Sequence, residues 1–348
     1  TSSAAPILPL PPSQSMRPTA AQSVTLHDVA REAGVSLITA SRALSNPGVV
    51  SKATIERVQR AVEATGYVPN RLAGGLKSKR SMTVAALVPV ISVPQFLPTV
   101  QTLTETLDAA GYQLILGQTG YDRARERALL ETMVGRRVDA IVVAGLLEPQ
   151  GWAERLRRLH IPVVETWDLT DRPVDLLVGF SHLKVGSAVA GYYLARGWRH
   201  VGVATADDQR AMQRHAGFAS AVGRSVPTAI VKAPSTVRAG RTALAELLRQ
   251  DPALEAVHCS SDALAAGVLI EARTRGIAVP RQLAVCGFGD ADFAECQEPS
   301  LTTVRIAGAD IGRRAAEMVI ARGQGREVAE RIVDVGFSIV ERGSTASR

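Results

Sequence analysis

The feature that most constrains the fold is an alternation, from Ser81 onward, between short apolar runs and longer stretches with helical spacing. This pattern is typical of βαβ units, in which helices cover both faces of a parallel sheet. It restarts near residue 176, so we predict an α/β body of two doubly wound lobes with a cleft between them. The predicted strands are 84–90, 113–116, 140–143, 163–165, 176–179, 200–204, 229–231, 256–259 and 283–287.

The segment 24–69 has a different pattern, that of consecutive short helices. Thr25 and Ser36 stand where a hydroxyl can cap a helix start by accepting from free amides. Gly34 between them can adopt the left-handed conformation that ends a helix. Two short helices joined by a tight glycine turn, with a third as support, predict an all-α helix-turn-helix head that binds DNA.

Charge and composition narrow the function further. The net charge is +7, and residues 24–80 carry nine basic against four acidic side chains, a net +5. This concentration in the predicted head favours a polyanionic partner. A hydrophobic content of 46% excludes disorder of the whole chain. No apolar run approaches the roughly 18 residues needed to cross a bilayer, so we expect no membrane partner and a cytoplasmic location.

Motifs of enzymes and metal sites are missing from the sequence. It contains no G-x-S-x-G, no P-loop, no H-E-x-x-H and no complete G-x-G-x-x-G. Its three cysteines lack C-x-x-C spacing and paired histidines, so they are interpreted as reduced packing residues. We therefore predict a protein that is not an enzyme and needs neither cofactor nor metal.

Several stretches together carry a family resemblance. They are VTLHDVA (24–30), AGVS (33–36), Thr39, Ser41-Arg42, Val50-Ser51 and GYVPN (66–70). These stretches resemble the DNA-binding head of the lactose-repressor (LacI) family. The resemblance continues over nearly the whole chain and implies a two-lobed effector core like that of periplasmic sugar-binding proteins. Gly111-Tyr112-Gln113, Val178-Gly179-Phe180 and 334–337 (DVGF) resemble the gluconate-utilisation repressors most.

The resemblance implies a division of the chain. Residues 1–23, rich in Pro, Ser and Ala, form a disordered tail. Residues 24–69 form the helix-turn-helix domain and 70–81 a hinge helix or linker. The first lobe of the effector core comprises 82–178 and 303–330, and the second comprises 179–302 and 331–343.

Three residues of the second helix occupy base-reading positions of the family. Arg42 offers a fork of donors that matches guanine, whereas Leu37 and Ile38 offer apolar contacts, for example to a thymine methyl. The alternative is that Leu37 and Ile38 belong to the core. Further DNA contacts are expected from Thr25, Ser36, Thr39, Ser41, Asn46, Asn70 and Arg71.

The hinge matches a family segment that orders on the operator. Leu76 matches a leucine that enters the minor groove, and Lys77 could reach a groove wall or a phosphate. Gly74-Gly75 departs from the usual helix-favouring residues, because each glycine costs about 1 kcal/mol in a helix. A plain flexible linker is therefore the alternative.

The family's effector positions fall in the predicted cleft. They correspond to Ser92, Phe96, Glu165, Trp167, Asp168, Arg210, Arg214, Ser261 and Asp290. A sugar acid needs a cation for its carboxylate, here Arg214, and hydrogen-bonding groups for its hydroxyls. The alternative is a neutral hexose or pentose, with Arg214 bridging two hydroxyls. His182 replaces a usual asparagine, and we expect it in a helix cap and not on a metal.

These expectations define a sequence-specific transcriptional regulator, a repressor. It would bind an inverted-repeat operator in double-stranded DNA as a homodimer, or as a tetramer of two dimers, because one recognition helix reads too few bases alone. A small sugar or sugar-acid effector would control its operator affinity. The rival classes are a sugar-binding transport receptor, which would lack a basic helical head, and an enzyme.

Overall fold

The computed structural model describes residues 24–68, 80–147 and 151–346. The chain divides into two compact units, Thr1–Lys79 and Arg80–Arg348. The predicted tail 1–23 and most of the hinge, including Asn70, Arg71, Leu76 and Lys77, lie outside the described residues.

Residues 24–68, the described part of the first unit, contain three α-helices. They are α1 (Leu26–Glu32), α2 (Leu37–Ser45) and α3 (Lys52–Thr65). Gly34 has a φ of 61° between α1 and α2, which is the left-handed conformation predicted for it. A small apolar core holds the helices together, and its buried members are Val29, Ala33, Ala43, Val58 and Ala61. The all-α head is therefore confirmed.

Both predicted helix starts carry a cap. Ser36 Oγ accepts from the amide of Thr39 at 3.2 Å. At α1, Thr25 and Asp28 form a capping box, in which the Thr25 amide donates to Asp28 Oδ2 at 2.9 Å. The Thr25 hydroxyl also donates to Asp28 Oδ2, at 2.7 Å.

The second unit contains two sheets, each covered by helices. In chain order the elements are β1 (Thr83–Val88), α4 (Leu97–Ala109), β2 (Gln113–Gln118), α5 (Arg123–Gly135), β3 (Ala140–Ala144), α6 (Trp152–Arg158), β4 (Val163–Thr166), β5 (Leu176–Gly179), α7 (His182–Ala195), β6 (Val201–Ala206), α8 (Gln209–Val222), β7 (Thr228–Val231), α9 (Val237–Gln250), β8 (Ala256–Cys259), α10 (Asp262–Thr274), β9 (Ala284–Phe288), β10 (Thr302–Arg305), α11 (Gly308–Gly323), β11 (Ile332–Asp334) and β12 (Ser338–Val340). The first sheet has the order β11-β5-β4-β3-β1-β2 and the second has the order β12-β10-β9-β8-β6-β7.

Strand pairing follows the doubly wound pattern. All described pairs are parallel except β10 with β12, which are antiparallel. The central strands are buried along almost their whole length, because helices cover both faces of each sheet. The strands at the sheet edges, β2, β7, β11 and β12, are partly exposed. The predicted α/β architecture of two lobes is therefore confirmed.

The lobe boundaries near the carboxyl end need correction. The sequence assigns 303–330 to the first lobe and 331–343 to the second. Strand β10 instead pairs with β9 in the second sheet, and β11 pairs with β5 in the first. Helix α11 does belong to the first lobe, since the Thr99 hydroxyl on α4 donates to Gly308 O at 2.8 Å. The chain thus crosses between lobes at 180–181, 306–307 and 335–337.

Helices α7 and α8 cross at unusually short range. A Cβ atom added to Gly217 would lie 2.0 Å from Leu183 O, and one added to Gly186 would lie 1.9 Å from Arg214 O. Only glycine permits this approach of two backbones. The crossing brings Arg214 of α8 beside the first turn of α7. In the described ranges, no helix is long and apolar enough to cross a membrane.

Candidate functional site

Helix α2 presents apolar side chains to solvent. Leu37 is 37% exposed and Ile38 is 64% exposed, whereas Ala40 and Ala43 of the same helix are buried. A helix repeat of 3.6 residues places Ile38 and Arg42 on one face, four positions apart. Both apolar side chains therefore lie outside the core of the head, and Ile38 lies on the face that carries the exposed Arg42.

The polar residues predicted to contact DNA lie at both ends of this helix. The hydroxyls of Ser36 and Thr39 are hydrogen-bonded to each other at 2.8 Å. Ser41, Arg42 and Asn46 are exposed. These five residues share one short helix and its flanks. Thr25 lies on the preceding helix start, where its hydroxyl is held by Asp28.

A small cavity lies between the two lobes of the second unit. Its volume is about 30 Å³, against roughly 300 to 1,000 Å³ for sites that bind small molecules. Its walls come from strand ends and helix starts of both lobes, as the carboxyl-end rule for parallel sheets predicts. They are formed by Val93, Gln95, Phe96, Tyr121, Trp167, His182, Asp208, Arg210, Arg214, Ser235, Ser260 and Ser261.

Arg214 is the buried cation of this cavity. Only 4% of the residue is exposed. Its Nη1 donates to His182 Nδ1 at 2.9 Å and its Nη2 to Ser260 O at 3.0 Å. The guanidinium carbon lies 3.9 Å from the ring centre of Phe288, a cation–π distance. Burial lowers the pKa of Arg214 to about 10, so the side chain stays charged at neutral pH.

His182 joins Arg214 to the first lobe. The ring is 2% exposed, and its Nε2 lies 2.9 Å from Trp167 O. A guanidinium only donates, so Nδ1 accepts from Arg214 and Nε2 carries the proton given to the Trp167 carbonyl. Burial and the charge of Arg214 hold the pKa of His182 well below its usual value. The imidazole is therefore neutral, in one tautomer, at the cap of α7 where the sequence places it.

Aromatic rings form the first-lobe wall. Phe96 and Trp167 meet edge to face at 4.9 Å, and Trp167 meets Phe180 in the same way at 5.8 Å. The Trp167 indole donates from Nε1 to the Thr99 hydroxyl at 2.9 Å. Such a rigid apolar wall suits the C–H faces of a carbohydrate. Phe96 and Trp167 therefore stand where the resemblance places effector contacts.

Arg210 closes the cavity on one side. Its Nη1 donates to Ala144 O at 3.0 Å, and its guanidinium lies 5.3 Å from the ring centre of Phe96. Arg210 belongs to α8 of the second lobe, whereas Ala144 and Phe96 belong to the first. Arg210 also lines a larger outer cleft of about 470 Å³ together with Tyr121 and Asp168. It separates the inner cavity from that cleft.

Three more predicted residues lie at or beside the cavity. Ser261 lines it, and its hydroxyl is 2.7 Å from that of Ser235. Ser92 lines an adjoining space of about 230 Å³ together with Ser261. Asp168, which is 5% exposed, borders the outer cleft and accepts from the Leu169 amide at 2.8 Å. The structure thus gathers most of the predicted effector residues around one interlobe space.

Glu165 and Asp290, two further predicted effector residues, do not line this cavity. The Glu165 carboxylate accepts from the amides of Leu147 at 2.7 Å and Val174 at 2.8 Å. Successive side chains of a strand point to opposite faces of the sheet. Glu165 points to the face where Leu147 and Val174 lie. Its burial raises its pKa.

Asp290 is held by two arginines. It pairs with Arg305 at 2.5 Å and with Arg342 at 2.8 Å. Its carboxylate therefore joins β9, β10 and the chain after β12. Neither Asp290 nor Glu165 lines the interlobe cavity.

Sequence reasoning missed several cavity residues. Gln95, Tyr121, Asp208 and Ser235 line it without being predicted. Asp208 was visible as a residue before a helix, since it caps α8 by accepting from Ala211 at 3.1 Å. Tyr121 follows β2 with a φ of 60°. Side-chain position after a strand depends on such turn geometry, which a single sequence does not display.

Comparison with known families agrees with this arrangement. The family of bacterial regulatory proteins called lacI matches residues 25–70. A periplasmic binding protein-like domain matches residues 190–345. The first match covers the three-helix head, and the second covers the second lobe together with α11 and β11.

Similar proteins share nearly the full length. The HTH-type transcriptional regulator GntR of Pseudomonas aeruginosa is 35% identical over 327 residues, covering 92% of this chain and 95% of the relative. GntR of Escherichia coli is 30% identical over 92% of this chain and 98% of the relative.

A solved structure extends the agreement to three dimensions. A LacI family transcriptional regulator from Silicibacter pomeroyi is 31% identical, with a TM-score of 0.87 over 93% of this chain and all of that one. The relatives named here are transcriptional regulators and not enzymes. The chain belongs to the LacI family of DNA-binding transcriptional regulators.

Proposed function

We propose that this regulator controls transcription in response to a sugar acid bound between its lobes. The observation that carries the proposal is Arg214, a buried guanidinium that lines the cavity and is held by two neutral acceptors. Its Nε has no hydrogen-bond partner among the described residues. A buried charge is costly unless a partner compensates it. A bound carboxylate supplies that compensation and pairs with a guanidinium in a bidentate geometry.

The remaining groups suit the hydroxyl-bearing part of such a ligand. Ser235 and Ser261 offer hydroxyls, and Asp208 offers carboxylate oxygens. Phe96 and Trp167 provide an apolar wall for C–H groups. The resemblance to gluconate-utilisation repressors and the similarity to two regulators named GntR support the same effector class.

Entry of an effector requires the lobes to separate. The space of about 30 Å³ between the lobes is far smaller than the roughly 300 to 1,000 Å³ of sites that bind small molecules. The Arg210 contact with Ala144 must therefore open and close during binding. An effector that favours one lobe arrangement over the other shifts the population of the two forms. This differential affinity is the physical basis of the proposed control of DNA binding.

The DNA site is proposed to be an inverted repeat bound by a homodimer. Ile38, Leu37 and Arg42 of α2 supply base contacts, while hydroxyls near the helix start bind phosphates. Leu76 of the hinge is proposed to enter the minor groove, with Lys77 beside it. Such a protein acts in the bacterial cytoplasm, where the chromosome is. Assembly into tetramers is an alternative to the dimer.

Calorimetry on wild type, Arg214→Gln and the control Arg249→Gln tests the effector. Arg249 is an exposed arginine of α9 that pairs with Glu246. It is not among the residues that line the cavity. Gluconate and glucose are titrated separately into each protein. Gluconate should bind wild type and the control but not Arg214→Gln, and glucose should bind none. Binding of glucose without gluconate would show a neutral-sugar regulator and overturn the proposal.

A further inference from the structure

His182 lines the cavity and also contacts both lobes. It is the first residue of α7, immediately after the chain leaves the first sheet at β5. One ring nitrogen bonds Trp167 of the first lobe and the other bonds Arg214 on α8 of the second. The imidazole is thus a hydrogen-bonded bridge between the two lobes.

The bridge fixes the orientation of Arg214. The guanidinium is gripped at Nη1 by His182 and at Nη2 by Ser260 O, while its face rests on Phe288. His182 is in turn fixed by Trp167 O and by Phe180, whose ring lies 4.6 Å from the imidazole. The rotamer of Arg214 is therefore set before any ligand enters.

The bridge also leaves the charge of Arg214 in place. Both hydrogen-bond acceptors of its guanidinium, the imidazole and a carbonyl, are neutral. A carboxylate at position 182 would accept the same hydrogen bond but would neutralise the cation. Asp208 and Asp168 add negative charge near Arg214 and favour its charged form. A neutral acceptor is the choice that keeps the guanidinium available to an anion.

We propose that His182 is a positioning residue that sets the charge selectivity of the effector cavity, by orienting Arg214 through a neutral acceptor. This inference rests on the proposed function, because it assumes an anionic effector. Its ligand class is a sugar monocarboxylate, preferred over the neutral alditol of the same length and hydroxyl pattern. The measurable consequence is the ratio of affinities for two ligands that differ only at the carboxylate.

Three substitutions of His182 separate its effect on the orientation of Arg214 from its effect on the charge of Arg214. His182→Asn keeps an acceptor near the Nδ1 position, His182→Phe removes the acceptor but keeps a ring, and His182→Asp keeps an acceptor and adds a negative charge. His215→Asn is the matched control, since His215 is the neighbour of Arg214 on α8 but its Nε2 bonds Thr228 Oγ1 at 3.1 Å. Gluconate and glucitol are titrated into each protein by calorimetry, and thermal unfolding checks the fold.

The gluconate-to-glucitol affinity ratio should stay within about threefold of wild type in His182→Asn and in His215→Asn. It should fall about tenfold or more in His182→Phe, as expected from loss of one hydrogen bond to a charged group. It should fall furthest in His182→Asp, where gluconate weakens and glucitol does not. If His182→Asp fails to fold, the Asn and Phe variants decide.

Two failures are distinguishable. A wild-type protein that binds gluconate, with an unchanged ratio in His182→Phe and His182→Asp, overturns the role of His182 alone. A wild-type protein that binds glucitol as tightly as gluconate, or binds no gluconate, overturns the proposed effector and this inference together.

Discussion

Arg210 on α8 and Ala144 at the end of β3 are joined across the cleft by a hydrogen bond of 3.0 Å. The donor belongs to the second lobe and the acceptor to the first, so the bond exists only when the lobes are closed. Ala144 offers a backbone carbonyl, which no substitution of its side chain removes. The strength of the closure therefore depends on position 210.

Arg210→Ala should accelerate effector release. Loss of a charge-assisted hydrogen bond, worth about 1.5 to 3 kcal/mol, weakens the closed form and should raise the gluconate dissociation rate about tenfold. Stopped-flow fluorescence of Trp167, which lines the cavity, measures that rate. An unchanged rate in Arg210→Ala would show that the contact with Ala144 does not hold the lobes closed.

Ile38→Ala should weaken operator binding without loss of stability. The side chain is 64% exposed, so its truncation removes little burial on folding, whereas loss of contact with a base should cost about 1 to 3 kcal/mol. Fluorescence anisotropy with a selected inverted repeat and with random DNA measures both affinities. The control is Leu159→Ala, at an apolar residue of the second unit that is 48% exposed. Equal loss on both DNAs would assign Ile38 no role in sequence reading.

Gly217→Ala should destabilise the second lobe strongly. The new methyl would lie 2.0 Å from Leu183 O, and the backbones of α7 and α8 must then move apart, at a cost of about 1 to 3 kcal/mol. Gly191→Ala is the control, because no atom lies within 4 Å of its added Cβ. That change should be neutral or stabilise by up to about 1 kcal/mol. Urea unfolding of both variants measures the difference, and equal stabilities would contradict the described crossing.

Asp262 should make stability fall as pH rises from about 4 to about 6. Its oxygens accept from Thr303 Oγ1 at 2.6 Å and from the Ala291 amide at 2.7 Å, yet burial raises its pKa from 3.8 to about 6. The folded state therefore binds a proton that the unfolded state releases in this range. Above pH 6 both states are ionised, and the accumulated loss is about 3 kcal/mol.

The side chain of the Asp262→Asn variant cannot ionise. The difference in stability between this variant and wild type therefore isolates the titration of Asp262. The variant loses one acceptor at every pH, but its stability relative to wild type should improve as pH rises from 4.5 to 6.5. Urea unfolding at three pH values within this range measures the trend. A stability difference between the two proteins that does not vary with pH would contradict the raised pKa of Asp262.

The sequence predicted most of this architecture because its elements are long or strongly patterned. The head helices end at residues such as Gly34, and the buried strands are unbroken apolar runs. Strands β10, β11 and β12 were not predicted, because β10 begins with two threonines, β11 ends with an aspartate and β12 begins with a serine. None of them is an unbroken apolar run, so the crossings between lobes could not be placed correctly.

The surroundings of a predicted site residue could not be foreseen where its partner is distant in the chain. Glu165 and Asp290 follow strands and have the right chemistry for hydroxyls. Glu165 instead bonds the amides of Leu147 and Val174, and Asp290 pairs with Arg305 and Arg342. Conversely, the proposed role of His182 depends on the crossing of α7 and α8 at Gly186 and Gly217. The sequence alone does not show that these two helices touch.

The central claim is that a sugar acid bound at Arg214 alters the affinity of the head for DNA. Anisotropy titration of a selected inverted-repeat duplex, at fixed salt and with or without gluconate, tests both halves at once. Salt must be fixed because phosphate contacts make affinity depend on it steeply. Gluconate should change the operator Kd of wild type about tenfold or more, and glucose should not. The effect should vanish in Arg214→Gln and persist in Arg249→Gln. An operator Kd that gluconate leaves unchanged, or that glucose changes equally, would contradict the account.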